Sequence, residues 1–135
     1  MEKVFETFVR TTPERVWESI TREDLHRQYN FGVGIKSDWQ PGSRIESSSI
    51  MPVWEGEVLE AEPPRRLVHT YHVLWIDPAR DQETFQVTWE IRPVGEHCWV
   101  KVTHGGLGQG ADPRLYRGWS VLLGGIKQLL EAQPA

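Results

Sequence analysis

Five histidines, His26, His69, His72, His97 and His104, and one cysteine, Cys98, are the side chains of this 135-residue chain best suited to hold a metal or move a proton. Their spacing speaks against a shared metal. His69 and His72 stand three apart in a stretch that reads as strand, where alternate side chains take opposite faces, and the adjacent His97 and Cys98 diverge for the same reason. No pair has the spacing of ligands on a helix, so no metal and no other cofactor is expected. Alternation with Leu67 and Tyr71 turns His69 inward. A neutral imidazole there serves either as a polar anchor or proton shuttle for a bound molecule, or as a hydrogen-bonded core residue. Nucleophilic chemistry finds no support: Ser47, Ser48 and Ser49 fall in a strand-like segment, the Gly-x-Ser-x-Gly elbow is missing, and Cys98 keeps apolar company with Val100 and Val102, as an inert buried thiol does. No catalytic residue is assigned.

The elements that must position these residues follow from periodicity and turn chemistry. Residues 3–10 alternate imperfectly, as a strand. Thr12 and Pro13 then cap and open a short helix whose buried side is Val16, Trp17 and Ile20. Thr21 with Asp24 resembles a capping box for a second short helix through Leu25 to Tyr29, ended by Gly32 and Gly34. After the turn Trp39-Gln40-Pro41-Gly42, five strands are predicted over 43–50, 53–60, 66–75, 83–92 and 97–104, separated by Met51-Pro52, Glu62-Pro63-Pro64, Asp77-Pro78 and Pro93-Val94-Gly95. The clearest alternation is Phe85, Val87, Trp89 and Ile91 against Gln86, Thr88 and Glu90. A long helix is predicted from Asp112 as N-cap and Pro113 at its first position, with Leu115, Trp119, Leu122, Ile126 and Leu129/Leu130 as its apolar stripe. Gly118, Gly124 and Gly125 are costly within it unless its backbone packs closely or leaves room for a ligand. Gly105-Gly106-Leu107-Gly108-Gln109-Gly110 links the last strand to this helix. It lacks the lysine and Ser/Thr of a phosphate loop and reads as a corner, one able to gate a cavity.

Length fits one domain over 1–135, with no linker, repeat or low-complexity run. The net charge of -4, both signs scattered, argues against nucleic acid as a partner. No apolar run reaches membrane-spanning length, and Met1-Glu2-Lys3-Val4 does not open a secretory signal. A lone cysteine excludes an internal disulfide framework, so a cytoplasmic setting is expected.

Strand, two short helices, a run of antiparallel strands and a terminal helix make an α+β layout. The residues also carry a resemblance. Thr11-Thr12-Pro13-Glu14-Arg15-Val16-Trp17, Trp39-Gln40-Pro41-Gly42, Gly56-Glu57-Val58-Leu59-Glu60 and Pro63-Pro64-Arg65-Arg66-Leu67 resemble the SRPBCC family of START-like proteins. Later segments agree: Val87-Thr88-Trp89-Glu90-Ile91-Arg92-Pro93-Val94-Gly95, Val102-Thr103-His104-Gly105-Gly106-Leu107 and Gly118-Trp119. More narrowly, the chain is similar to the branch named after a co-chaperone that activates the ATPase of the ninety-kilodalton heat-shock protein, a stress-response setting. The resemblance implies a helix-grip fold: a curved antiparallel β-sheet wrapped around the long C-terminal α-helix, two short helices after the first strand, and a cavity between sheet and helix.

Candidate cavity walls are Trp54, His69, Tyr71, Phe85, Val87, Trp89, Leu115, Trp119 and Leu122, although the same pattern serves an ordinary solid core. The place of Trp54 depends on strand parity across Pro52, since a one-residue slip turns it outward. Arg44 is a candidate anion anchor or a solvated cation, and Glu55 and Glu57 read as surface positions, with either one, near the cavity mouth, the candidate should a carboxylate be catalytic. The expected function is binding of a small apolar or amphipathic molecule without catalysis. Two rivals stand beside it: a cyclase-, dehydratase- or hydrolase-type enzyme with His69 or Tyr71 as acid/base, and a co-chaperone-like interaction module with a chaperone partner. The edge strand over 3–10, or an exposed tryptophan, offers a homodimer contact.

Overall fold

Thr12 does what its position after a strand and before Pro13 predicts: its hydroxyl accepts from the Arg15 N–H at 3.3 Å and caps α1 (Pro13–Thr21), which buries Val16, Ser19 and Ile20. The computed structural model describes residues 1–75, 85–107, 111 and 113–132. The expected N-cap Asp112, the glycines Gly108 and Gly110, the turn Asp77-Pro78 and the first two residues of the strand expected over 83–92 lie outside them.

Among the described residues seven strands form one sheet: β1 (Lys3–Val9), β2 (Gly34–Lys36), β3 (Arg44–Ser48), β4 (Pro52–Glu62), β5 (Arg66–Val73), β6 (Phe85–Val94) and β7 (His97–Gly105). Their order is β1-β7-β6-β5-β4-β3-β2, and every neighbouring pair is antiparallel. The alternation read in β6 is realised, with Phe85, Val87, Trp89 and Ile91 buried. Register slips at Ser47/Ser48 and between Val58 and Glu60 curl the sheet. Gly56 lies at the closest approach of β4 to β5, where an added Cβ would collide with the Thr70 carbonyl oxygen.

The structure departs from expectation in three places. β2 carries no signal in the sequence, because three residues are too few to show a strand period. The capping box is not formed: Thr21 closes α1, with its hydroxyl donating to Trp17 O at 2.9 Å, and Arg22 precedes α2 (Glu23–Tyr29) without a side-chain cap. The terminal helix α3 (Gly118–Glu131) starts later than Pro113. Pro113–Leu115 is a 3₁₀ turn, and the poor helix former Gly118 stands where the two pieces meet. The stripe shifts accordingly to Trp119, Leu123, Ile126 and Leu130, all buried against the inner sheet face, while Leu122 and Leu129 sit at its margin. Gly125 earns its place by close packing on α2, since a Cβ there would lie 2.8 Å from Tyr29 Cβ. No helix among the described residues is long and apolar enough to cross a membrane.

Candidate functional site

Between the curled sheet and α3 lies a hollow of about 280 Å³. The inner faces of β4, β5 and β6 supply Trp54, Leu67, His69, Tyr71 and Trp89. The helix side supplies Gly118, Trp119 and Leu122, with Leu115 from the 3₁₀ turn. Strand parity across Pro52 resolves in favour of an inward Trp54, which stacks on the His69 ring at 5.3 Å and tilts against Tyr71 at 4.9 Å. Trp119 meets Trp89 edge to face at 5.6 Å.

Seven of the nine expected wall residues therefore border one space, and two do not. Val87 is fully buried in the solid part of the core, and Phe85 packs against the His104 ring at 5.0 Å. Both face inward, but neither is among the residues lining the hollow. Arg44 is a correction as well. It alternates with the inward Ile45 and so projects from the outer sheet face, where it bonds Glu46 at 3.1 Å and Glu55 at 2.8 Å. Glu55 thereby belongs to that outer ion pair, and exposed Glu57 does not border the hollow either.

Sequence reasoning missed the end wall. Ile20, His26, Tyr29 and Asn30 from the two short helices close it, with Val33, Ile35 and Trp39 following. The spacing of His26, Tyr29 and Asn30 places all three on one helical face, a signal legible in the sequence. Their bonds fix a tautomer. Tyr29 donates its hydroxyl hydrogen to Ser19 O at 2.7 Å, so Nδ1–H of His26 serves Ile20 O at 3.1 Å and the Tyr29 oxygen at 3.0 Å, leaving Nε2 to accept from Asn30 at 3.1 Å. Phe31 and Trp39, with φ of 53° and 56°, are the non-glycine residues in the left-handed region among those described, and both border the hollow. Phe31, Trp75 and Arg114 are exposed at its rim.

The interior is electrically quiet. His69 Nδ1 donates to Thr70 O at 2.8 Å, and His104 Nδ1 accepts from the Trp119 indole at 2.9 Å. Burial draws His26, His69 and His104 each down to about 4, and proximity to His69 lowers the other two further, so all three are neutral at pH 7. Cys98 donates to Thr11 O, and burial, with the charge of Glu14, pushes its thiol up to about 11. It is inert at neutral pH. Among the described residues no group of three metal-ligating side chains converges.

The same architecture recurs in solved structures. A protein of Mesorhizobium loti, MLL2253, superposes with a TM-score of 0.84 at 23% identity over 100% of both chains. PFC0360w, an HSP90 activator from Plasmodium falciparum, gives 0.81 at 19% identity over 96% of each chain. The Aha1 dimer from Colwellia psychrerythraea gives 0.76 at 17% identity, covering 97% of this chain and 96% of that one. At such identities the likeness speaks for the fold alone. No curated protein matches the chain by sequence. The profile of one family, "Activator of Hsp90 ATPase homolog 1-like protein", spans residues 10–131, from the end of β1 to the last residue of α3, and the chain belongs to that family.

Proposed function

We propose that the hollow between the sheet and α3 binds a small apolar or amphipathic molecule, and that this binding, without a catalytic step, is what the chain does. One observation carries the reading: Trp54, Tyr71, Trp89 and Trp119, though in ring contact with one another, still border about 280 Å³ of space. Close-packed interiors leave few voids larger than a water molecule, because atoms lining a void forfeit contacts. A ligand restores them, and its buried surface contributes about 25 cal/mol per Å² before ordering costs. His69 weighs against acid/base chemistry, because an imidazole held at about 4 is a poor general base near neutral pH.

Native mass spectrometry of protein purified from cells, with tryptophan fluorescence during titration by apolar and amphipathic compounds, tests this. A retained mass or a saturable fluorescence change is expected, and a Leu122→Trp variant that fills the hollow and stays folded should lose it. Empty protein whose fluorescence ignores the whole panel refutes the reading. A second reading, engagement of an Hsp90-type chaperone or of a second copy, is favoured by the family and by likeness to an Hsp90 activator and to a dimer. Stimulation of a purified Hsp90 ATPase, and sedimentation at rising concentration, test its two forms.

A further inference from the structure

The polar chemistry of the hollow is narrow. Among the described residues its lining contains no acidic side chain and no lysine, and Arg114, the one guanidinium among them, is exposed at the rim. Farther in, the Thr70 carbonyl can only accept, so the 2.8 Å bond to it assigns the hydrogen of His69 to Nδ1 and the lone pair to Nε2. Nε2 has no hydrogen-bond partner among the described residues, and it is not one of the buried orphan atoms, so it meets the space that His69 borders. The stacked indole of Trp54, its plane within 23° of the imidazole, holds the ring in that orientation. A lone pair in an aromatic box rewards a donor, whereas a ligand carboxylate beside it would be desolvated with no counter-charge.

Granting the hollow a ligand, as proposed above, we infer that His69 Nε2 is its specificity-determining acceptor, and that the ligand is a neutral ring compound carrying a hydroxyl or N–H at its buried end. Matched probes separate this from binding by shape alone: 2-naphthol, its methyl ether 2-methoxynaphthalene, and 2-naphthoate, each titrated at pH 7 and followed by tryptophan fluorescence and calorimetry. The naphthol should bind about tenfold tighter than the ether, which keeps the rings and loses the donor, and the naphthoate should bind weakest. In His69→Phe, which keeps a ring for Trp54 to stack on, the gap between naphthol and ether should close. The wild-type comparison decides the matter by itself if that variant fails to fold. Equal affinities for naphthol and ether overturn the acceptor role and leave the cavity reading standing. Preference for the naphthoate overturns the neutral class, and failure of all three probes to bind overturns the inference and the cavity reading together.

Discussion

Three buried neutral histidines give the fold a steep acid dependence whose size follows from the structure. His26, His69 and His104 are 6%, 3% and 0% exposed, and burial holds each at about 4 against 6.5 in the unfolded chain. Between those values the unfolded state binds more protons, so stability is complete above 6.5 and is lost as pH falls toward 4. Lowering pH from 8 to 5 costs about 2 kcal/mol per histidine, about 6 kcal/mol for the three, a large share of the roughly 5–15 kcal/mol that holds a domain together. Urea unfolding followed by tryptophan fluorescence at pH 8, 6.5 and 5 reads it directly. With slopes of about 1–3 kcal/mol per molar, the midpoint should fall by about 2 M or more between the extremes. Removing His69 should cut the pH dependence by about a third whatever it does to absolute stability, because it is one of three rings held down by similar amounts. A loss below about 2 kcal/mol in the wild type would refute the claim that these rings are buried and neutral.

Three further predictions concern packing. Gly56→Ala forces a methyl into the Thr70 carbonyl of the neighbouring strand and should destabilise by about 1–3 kcal/mol, seen as a lower urea midpoint. Adjacent glycines of α3 should respond with opposite signs: Gly124→Ala, with nothing within 4 Å of the new atom, stabilises by up to about 1 kcal/mol through helix propensity, whereas Gly125→Ala, 2.8 Å from Tyr29 Cβ, destabilises, as paired thermal melts would register. Trp119→Phe removes the indole donor from buried His104 Nδ1 and should cost about 1–3 kcal/mol in the same assay.

Much of the fold is legible in local sequence because its signals are local. Thr12 before Pro13 caps α1 through contacts three residues apart, and the alternation of Phe85, Val87, Trp89 and Ile91 reports the two faces of β6 whatever lies across from them. The inward turn of His69 and Tyr71 follows from the same period, and segments spread along the chain suffice for the resemblance to a helix-grip family. Three-residue β2 leaves no such trace, and the stripe from Leu115 onward does not distinguish a 3₁₀ turn from the first turn of α3, because side chains three apart share a face in both. What only the tertiary structure decides is which inward residues border space and which border one another. Val87 and Trp89 are two residues apart on one face of one strand, yet one is sealed in solid core and the other walls the hollow. A hollow is the volume that separate elements fail to fill. It depends on how far the register slips at Ser47/Ser48 and between Val58 and Glu60 curl the sheet, how closely Gly125 seats α3 on Tyr29, and how α2 brings His26 to the end wall. The tautomer of His69 is likewise set by its bond to the Thr70 carbonyl, so the orientation of its lone pair, and with it the chemistry offered to a ligand, exists only in the folded chain.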